Sequence, residues 1–323
     1  MTRKKLLPLA IALCAAPAAQ AVDFSPEEGI SLKGTTFSIY GTVEPKLITE
    51  TNSNGDDSTE LDDEDSTLGF AVESKFSDSV TGFAQLELEY SSDDNANGFD
   101  SQDSAFLGIK GDFGKLQAGN FDSIYEDLII DATEVAEDAE ITDEAVAGEN
   151  NQIAYYSPDW NGFSFRTQAR VIGRDDSQSA TNSNEVGFAI AGGYTGRNWG
   201  IYGGYDDRGA EAVDESTYGL SGIYGIGQFE LGAKYSIQNN ADTDPAGDDT
   251  TFTALRGTFT QGRTEFYGAV QQVEEDTGNE RDEVTLGVAH QLYSTLSIWA
   301  EAGQFDQAND EGDNYMVGAI YSF

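Results

Sequence analysis

The chain of 323 residues has few of the side chains that metal sites and disulfide frameworks require. It contains one cysteine, Cys14, and one histidine, His290, so it has neither a Cys/His cluster for structural zinc nor a cysteine pair. Basic residues are also scarce, because 17 Lys and Arg stand against 58 Asp and Glu, with a formal net charge of −41. Nucleic acid is held by clustered Lys and Arg, so this composition excludes a nucleic-acid-binding protein.

The sequence also has little in the way of long apolar runs. At the N-terminus, three basic residues precede the apolar stretch 6–16, and Ala19-Gln20-Ala21 follows as an A-x-A cleavage site. We therefore predict a signal peptide over residues 1–21 and a single mature domain over residues 22–323. After residue 21, no apolar run approaches the roughly 18 residues that a spanning helix needs, which excludes an α-helical membrane protein.

The rest of the chain shows a regular alternation of apolar and polar residues. Between residues 36 and 47 the odd positions are mainly apolar, and the charged side chains Glu44 and Lys46 both occupy even positions. The same rule separates Arg166 and Arg170 from the apolar positions of residues 163–171. A helix would scatter these charges around its axis, so the pattern indicates strands with one apolar face.

The connections between the predicted strands fall into two length classes. Seven short turns and eight long acidic connections separate 16 strands. The short turns are residues 77–79, 111–114, 158–162, 195–198, 225–228, 260–263 and 293–295, and the long connections are 49–65, 91–102, 121–150, 174–184, 206–215, 236–249, 274–282 and 305–312. Even strand number and this segregation of turns and loops are typical of a bacterial outer-membrane barrel.

A secreted β-sandwich also alternates apolar and polar residues, and it is the alternative fold. A sandwich has no reason to place its short turns at one end or to surround them with aromatic residues, as occurs here at Phe76, Trp160 and Trp199. The last strand ends on an aromatic residue, Phe323, as outer-membrane barrels do. The sequence therefore predicts an all-β, 16-stranded antiparallel transmembrane β-barrel.

Two segments resemble motifs of a known family. Residues 105–119, AFLGIKGDFGKLQAG, are similar to the strand, Gly-x-Phe-Gly turn and strand of Gram-negative trimeric general-diffusion porins. Residues 151–163, NQIAYYSPDWNGF, resemble the Tyr-x-Ser-Pro-x-aromatic-x-Gly-Phe segment that follows the constriction loop of these porins. The strand plan extends the resemblance over residues 37–323. The chain departs from the family at Asn120, where Arg is common.

The resemblance implies a water-filled lumen that is narrowed by a third loop, here residues 121–150, folded into the barrel. It also implies a homotrimer in the outer membrane of a Gram-negative bacterium, surrounded by the lipid bilayer and lipopolysaccharide. Such a porin passes small hydrophilic solutes and ions by passive diffusion and uses no cofactor.

The candidate constriction segment is strongly acidic. Residues 121–149 contain 11 acids and no Lys or Arg, which predicts a negative field and a preference for cations. We expect the acids in its second half to be solvated and those nearer its start to line the constriction. The candidate constriction acids are Asp122, Glu126, Asp127 and Asp131. The candidates for a basic pore wall are Lys46, Lys75, Lys110, Arg166 and Arg170; each could instead be a salt-bridge partner for Glu44, Glu73 or Glu87 within the lumen.

Other functions remain open at this point. A substrate-selective channel or a surface receptor could use the acidic loops to capture a cationic ligand. The acidic residues 242–249 offer oxygen ligands for Ca²⁺ or Mg²⁺, although their spacing matches no EF-hand. An enzyme is not predicted, because the one histidine, His290, lies in an outward strand phase near a short turn.

Overall fold

The computed structural model describes residues 34–93, 98–171, 186–209, 215–239, 249–276, 278–307 and 310–323. The predicted signal peptide lies outside the described residues. The strands are β1 (Thr35–Val43), β2 (Pro45–Thr51), β3 (Asp57–Asp63), β4 (Thr67–Lys75), β5 (Val80–Tyr90), β6 (Phe99–Gly111), β7 (Gly114–Asn120), β8 (Gln152–Tyr156), β9 (Phe163–Val171), β10 (Val186–Thr195), β11 (Trp199–Asp207), β12 (Ser216–Ile226), β13 (Phe229–Asn239), β14 (Thr250–Gln261), β15 (Thr264–Glu275), β16 (Glu280–Tyr293), β17 (Leu296–Gln304) and β18 (Asn314–Ser322).

The 18 segments form 16 strands of one closed barrel. Glu44 separates β1 from β2, and residues 64–66 separate β3 from β4. The two halves of this first hairpin remain side by side, since β1 pairs with β4 and β2 pairs with β3. All neighbours are antiparallel, and β18 pairs with both β1 and β2, which closes the sheet. The predicted 16-stranded antiparallel barrel is therefore confirmed.

The seven predicted short turns all connect neighbouring strands. The predicted loop 49–65 is different, because β2 continues to Thr51 and β3 starts at Asp57, leaving residues 52–56 as the connection. Leu47 pairs with Leu61, and both are exposed on the outer face. This apolar pair extends the outer wall into an acidic stretch whose composition had suggested a loop. The predicted connection 174–184 lies outside the described residues.

The outer face of the barrel is apolar. Leu107 is 65 % exposed and Leu286 is 63 % exposed, which is the reverse of a soluble core and suits a lipid environment. Aromatic rings pair beside the short turns, with ring centroids 5.3 Å apart for Tyr194 and Trp199 and 4.6 Å apart for Phe229 and Phe259. The predicted aromatic belt at the turn end is thus present in the structure.

Helical structure is limited to short pieces in the described part of the chain. A π-helical turn covers Glu126–Ile130 inside the loop 121–150. Among the described residues there is no helix of sufficient length and apolarity to span a membrane. The most deeply buried apolar side chains, Ile124, Tyr125, Ile129 and Ile130, have no exposed surface and lie in this loop. The core of the molecule is therefore where the loop meets the inner wall.

The C-terminal residue completes the barrel seam. The backbone N–H of Gly41 donates to the carbonyl of Phe323 (3.2 Å), and the N–H of Phe323 donates to the carbonyl of Gly41 (3.1 Å). Alanine at position 323 keeps both backbone bonds and removes only the ring. We expect Phe323→Ala to slow insertion into the outer membrane more than it lowers the stability of barrels already inserted. The rate of insertion into preformed lipid vesicles measures the slower insertion. Insertion of the variant at the wild-type rate would contradict this prediction.

Candidate pore constriction

Residues 121–150, here called loop L3, form a hairpin that lies along the inner wall of the barrel. The backbone N–H of Phe121 donates to the carbonyl of Glu149 (3.0 Å), which closes the base of the hairpin. Wall side chains of β2 and of strands from β8 to β17 contact the loop at successive points. L3 therefore follows more than half of the circumference and narrows the lumen.

The outgoing arm of L3 begins as an apolar contact. Tyr125 and Ile129 pack against Gly204 on β11 and Gly219 on β12, where a Cβ at Gly219 would lie 2.6 Å from the Tyr125 hydroxyl oxygen. The glycines give the loop room to approach the wall backbone. The backbone N–H of Ile124 donates to the Gln168 Oε1 atom of β9 (3.0 Å). The arm is thereby fixed by burial together with a hydrogen bond.

The tip of L3 is held by one carboxylate of the wall. Glu301 on β17 accepts hydrogen bonds from the backbone N–H groups of Glu137, Asp138 (2.9 Å) and Ala139 (3.0 Å). The Tyr267 hydroxyl on β15 donates a further bond of 2.6 Å to the same carboxylate. Four donors thus satisfy the oxygens of a side chain that is only 5 % exposed.

The return arm uses the same device at other strands. Glu283 on β16 accepts bonds from the backbone N–H and the hydroxyl of Thr142, both at 2.7 Å. Farther back, Asp206 on β11 accepts a 2.9 Å bond from the N–H of Ala147. Acidic wall residues thus bind the loop backbone, which offers many N–H donors outside regular secondary structure.

A buried ion pair joins the return arm to β13. Lys234 Nζ lies 2.7 Å from Glu144 and 3.2 Å from Asp143, and the side chains of Lys234 and Glu144 have no exposed surface. Burial alone would raise the pKa of Glu144, but the charge and hydrogen bond of Lys234 hold it below its ordinary value. The pair therefore remains ionised inside the protein.

The four candidate constriction acids all lie on the outgoing arm. Asp122 is exposed, Glu126 is buried, and Asp127 forms an ion pair with Arg166 of β9. The pKa of Asp131 is raised well above its ordinary value by burial and by the nearby carboxylates of Glu134 and of the other three candidates. The structure thus brings the four into one electrostatic neighbourhood.

The five candidate wall bases do not form one group. Lys46 is buried and contacts Asp138 of L3 (2.5 Å) and Glu64 (2.8 Å). Arg170 is also buried and donates to the backbone oxygen (3.0 Å) and side-chain oxygen (2.7 Å) of Asn150. Lys46 thus binds the tip of L3, and Arg170 binds its last residue.

The remaining candidates lie nearer the turn end of the barrel. Arg166 pairs with Asp127 and lies 5.3 Å from the centre of the Tyr156 ring. Lys110 pairs with Glu73, and Lys75 is exposed beside the short turn after β4. Of the paired bases, Lys110 has one of the partners that the salt-bridge interpretation named, Glu73, whereas Lys46 and Arg166 pair with other acids.

Comparison with known proteins identifies the family of the chain. Residues 9–322 match the family model for Gram-negative porins. The chain belongs to the Gram-negative porin family. A monosaccharide porin of a Halomonas species is 27% identical to this porin over 372 residues, which cover 99% of this chain and 100% of the relative.

Solved structures show the same fold at low sequence identity. An anion-selective porin from Comamonas acidovorans has a TM-score of 0.74 at 17% identity and covers 90% of this chain and 100% of its own. The trimer form of OmpT from Vibrio cholerae has a TM-score of 0.69 at 18% identity with the same coverage. Membership of the family and the barrel fold make this protein an outer-membrane porin with a channel through the barrel.

Several residues of the porin that fix L3 were missed from the sequence. Lys234 and Glu301 lie on the polar face of their strands. The alternation of the strands therefore predicts that both side chains face the lumen, but it does not indicate that they contact L3. The expectation that the acids in the second half of L3 are solvated is wrong for three of them. Asp138 pairs with Lys46, and Asp143 and Glu144 pair with Lys234.

One acidic group in the porin approaches the geometry of a metal site. Glu134, Glu140 and Asp143 place carboxylate oxygens within 4.8 Å of one another. Asp143 already contacts Lys234, and we assign no metal to the group. Of the acidic segment 242–249, residues 242–248 lie outside the described residues.

The charges of the porin are segregated along the barrel axis. The seven short turns with the four residues on either side of each contain six acids and seven bases, a net charge of +1. They are Glu73, Asp78, Asp112, Asp159, Glu230 and Glu265, and Lys75, Lys110, Lys115, Arg166, Arg197, Arg256 and Arg263. At the loop end, residues 274–283 hold six acids and one base, and residues 306–313 hold four acids and no base. The excess negative charge is therefore at the loop end and in L3.

The buried pair of Lys234 and Glu144 allows a direct test of how L3 is fixed. We expect Lys234→Met to lower the free energy of unfolding by about 3 to 5 kcal/mol, because it leaves a buried carboxylate without its cation. Urea unfolding of the refolded porin in micelles measures this loss of stability. We also expect brief closures in single-channel records of the variant, because L3 is no longer held to β13.

The double variant Lys234→Met/Glu144→Gln is the control for this prediction. It removes both charges, so we expect it to recover much of the lost stability. A double variant that is no more stable than Lys234→Met would show that the loss comes from packing and not from the uncompensated charge.

Proposed function

We propose that the porin is a cation-preferring channel for passive diffusion of small hydrophilic solutes and ions, with no enzymatic activity and no cofactor. The observation that supports this proposal most strongly is the charge balance of L3. The segment 121–149 carries 11 acids, and in the described residues its ion pairs with the wall involve Lys46, Arg166 and Lys234. Acids thus outnumber these bases at the narrow part of the lumen.

The distribution of charge along the axis supports the same direction of selectivity. A cation entering from the loop end meets an acidic mouth before it reaches L3, whereas the turn end carries no excess of acids. The anion-selective porin with the same fold shows that the barrel architecture alone does not set the sign of selectivity. The side chains that line the lumen must set it.

The reversal potential in a salt gradient tests the proposal. We expect planar bilayers containing the porin to prefer K⁺ over Cl⁻ at low salt, with a preference that fades as salt screens the charges. Neutralising Asp122, Glu126, Asp127 and Asp131 to their amides should reduce the preference strongly. Anion preference in the wild type would contradict the proposal.

The matched control neutralises four acids at the loop end. Glu50, Asp56, Asp57 and Glu60 are exposed on or between β2 and β3. Asp62 and Glu64 are unsuitable for this set because they lie within 3.7 Å and 2.8 Å of Lys46. We expect the control variant to change selectivity much less than the L3 variant. Equal effects would place the selectivity outside L3.

We further propose that the porin is a homotrimer. The trimer form of a structural neighbour supports this assembly. Small residues of the early strands contribute only in part to an outer packing face. Gly41, Gly82 and Ala84 share the outward phase, whereas Gly69 and Ala71 share the inward phase of Tyr40 and Gln85.

The oligomeric state has a direct measurement. Native mass spectrometry in mild detergent should give three times the mass of the mature chain. The same species should dissociate on heating in dodecyl sulfate. A monomer as the sole species in mild detergent would overturn the homotrimer and leave the channel proposal untouched.

A further inference from the structure

Two lysines face each other across the hairpin of β6 and β7. Lys110, the residue before the turn 111–114, pairs directly with Lys115, the residue after it. Their neighbours Ile109 and Leu116 form the next pair, and Leu116 is exposed on the outer face, so both lysines point into the lumen. Directly opposite side chains have Cβ atoms about 5 Å apart. The turn-end rim of the lumen thus holds two lysine side chains next to each other.

This pairing of like charges is not needed for the hairpin itself. Like charges directly opposite each other destabilise a sheet. The turn is closed by the pairing of Gly111 with Gly114, and Gly114 has a φ of 100°, which favours glycine. A local arrangement that costs stability within an otherwise regular strand pair is typical of a functional position. The juxtaposition of Lys110 and Lys115 therefore indicates a role in the channel.

Lys115 has no carboxylate partner in the part of the chain that the structure describes. No described Asp or Glu oxygen lies within 4.0 Å of its ammonium group. Lys115 Nζ lies instead 3.7 Å from the centre of the Tyr156 ring, and Tyr156 packs against the apolar cluster that contains Phe121 of L3. The Lys115 side chain remains partly exposed. The ring holds the ammonium group in place and leaves its charge without an acid to neutralise it.

Lys110 has an acidic partner that an anion can replace. Lys110 Nζ contacts Glu73 on β4, and the two side chains are 44 % and 52 % exposed. Water screens an ion pair that is so exposed, and the pair contributes little to stability. An anion that lies between Lys110 and Lys115 can therefore compete with Glu73 for Lys110.

The other charges near the two lysines are paired or lie in water. Arg166, which is directly opposite Tyr156 on the next strand, forms its ion pair with Asp127 of L3. Asp112 in the turn and Asp122 of L3 are both exposed. Neither of these two acids forms an ion pair with Lys110 or Lys115 in the described residues. The charge of Lys115 is thus the one that no local acid matches.

We propose that Lys110 and Lys115 form a binding site for the oxyanion group of a small solute, a phosphate or a carboxylate. Lysine ammonium groups bind phosphate as point charges, and two of them match the two negative charges of hydrogen phosphate. The site deepens the proposed channel function and rests on it, because solutes reach it through the lumen. The acids of L3 set the preference for cations, whereas the lysine pair retains an anion that has entered.

A saturable effect of phosphate on the K⁺ current tests the proposal. Planar bilayers containing the refolded porin are kept at constant ionic strength while potassium phosphate or potassium acetate replaces KCl, at about pH 8, where lysine is protonated. We expect the single-channel conductance to fall along a saturating curve with phosphate, and at higher concentration with acetate, which carries one charge. A linear fall with both anions, which their lower mobility alone would give, would overturn the site.

Lys115→Met is the most direct variant. It removes a charge that has no carboxylate partner in the described residues, so it leaves no described acid without its cation. We expect the apparent phosphate affinity to weaken about three- to tenfold, in line with the loss of one charged contact in water. Lys115→Arg keeps the charge and should retain saturation. Unchanged phosphate affinity in a folded Lys115→Met pore would contradict the assignment.

Lys75→Met is the matched control variant. Lys75 is exposed beside another short turn and lies opposite Thr81 instead of a base. We expect its phosphate affinity to equal that of the wild type. An equal loss in Lys75→Met and Lys115→Met would assign the effect to the general charge of the turn end and overturn the proposal.

The ionic conductance of the wild type separates the two levels of the proposal. A wild-type pore that conducts K⁺ and shows no saturable response to either anion would overturn the oxyanion site and leave the channel function standing. A wild-type protein that conducts no ions would instead overturn the channel function itself.

Discussion

The constraint behind this structure is that backbone polar groups in a lipid environment must bind one another. A closed antiparallel sheet meets that requirement, and it commits alternate side chains of each strand to lipid or to the lumen. The apolar pair Leu47 and Leu61 lies on the outside, while Lys46 lies on the inside and is buried. Charged side chains such as Lys46 are thereby concentrated inside the barrel, where they need a partner.

Loop L3 supplies those partners and receives its own from the wall. Its backbone outside regular secondary structure leaves N–H groups that Glu301, Glu283 and Asp206 accept, so wall carboxylates that would be costly to bury become satisfied. Its acids satisfy the buried ammonium of Lys234. The loop and the wall therefore need each other, which explains why a segment with so many charges can lie flat inside a barrel.

Strand phase and turn spacing were enough to predict the barrel from the sequence, because a period of two is set by local geometry. The path of L3 could not be predicted in the same way. Lys234 is separated from Glu144 by 90 residues, and nothing in either local pattern indicates that they meet. The ring of Tyr40 likewise covers Gly69 on the next strand because the strand register pairs these two residues. The alternation along each strand predicts which face of the sheet a residue occupies, whereas its contacts depend on how distant segments of the chain fold together.

The same cations cannot both fix L3 and form a positive wall opposite it. Lys46, Arg166 and Lys234 each bind an acid of the loop, so their charge is largely neutralised where it stands. A transverse field between a basic wall and an acidic loop is therefore weakened in this porin. The few bases that fix L3 are thus not available to make the lumen wall positive.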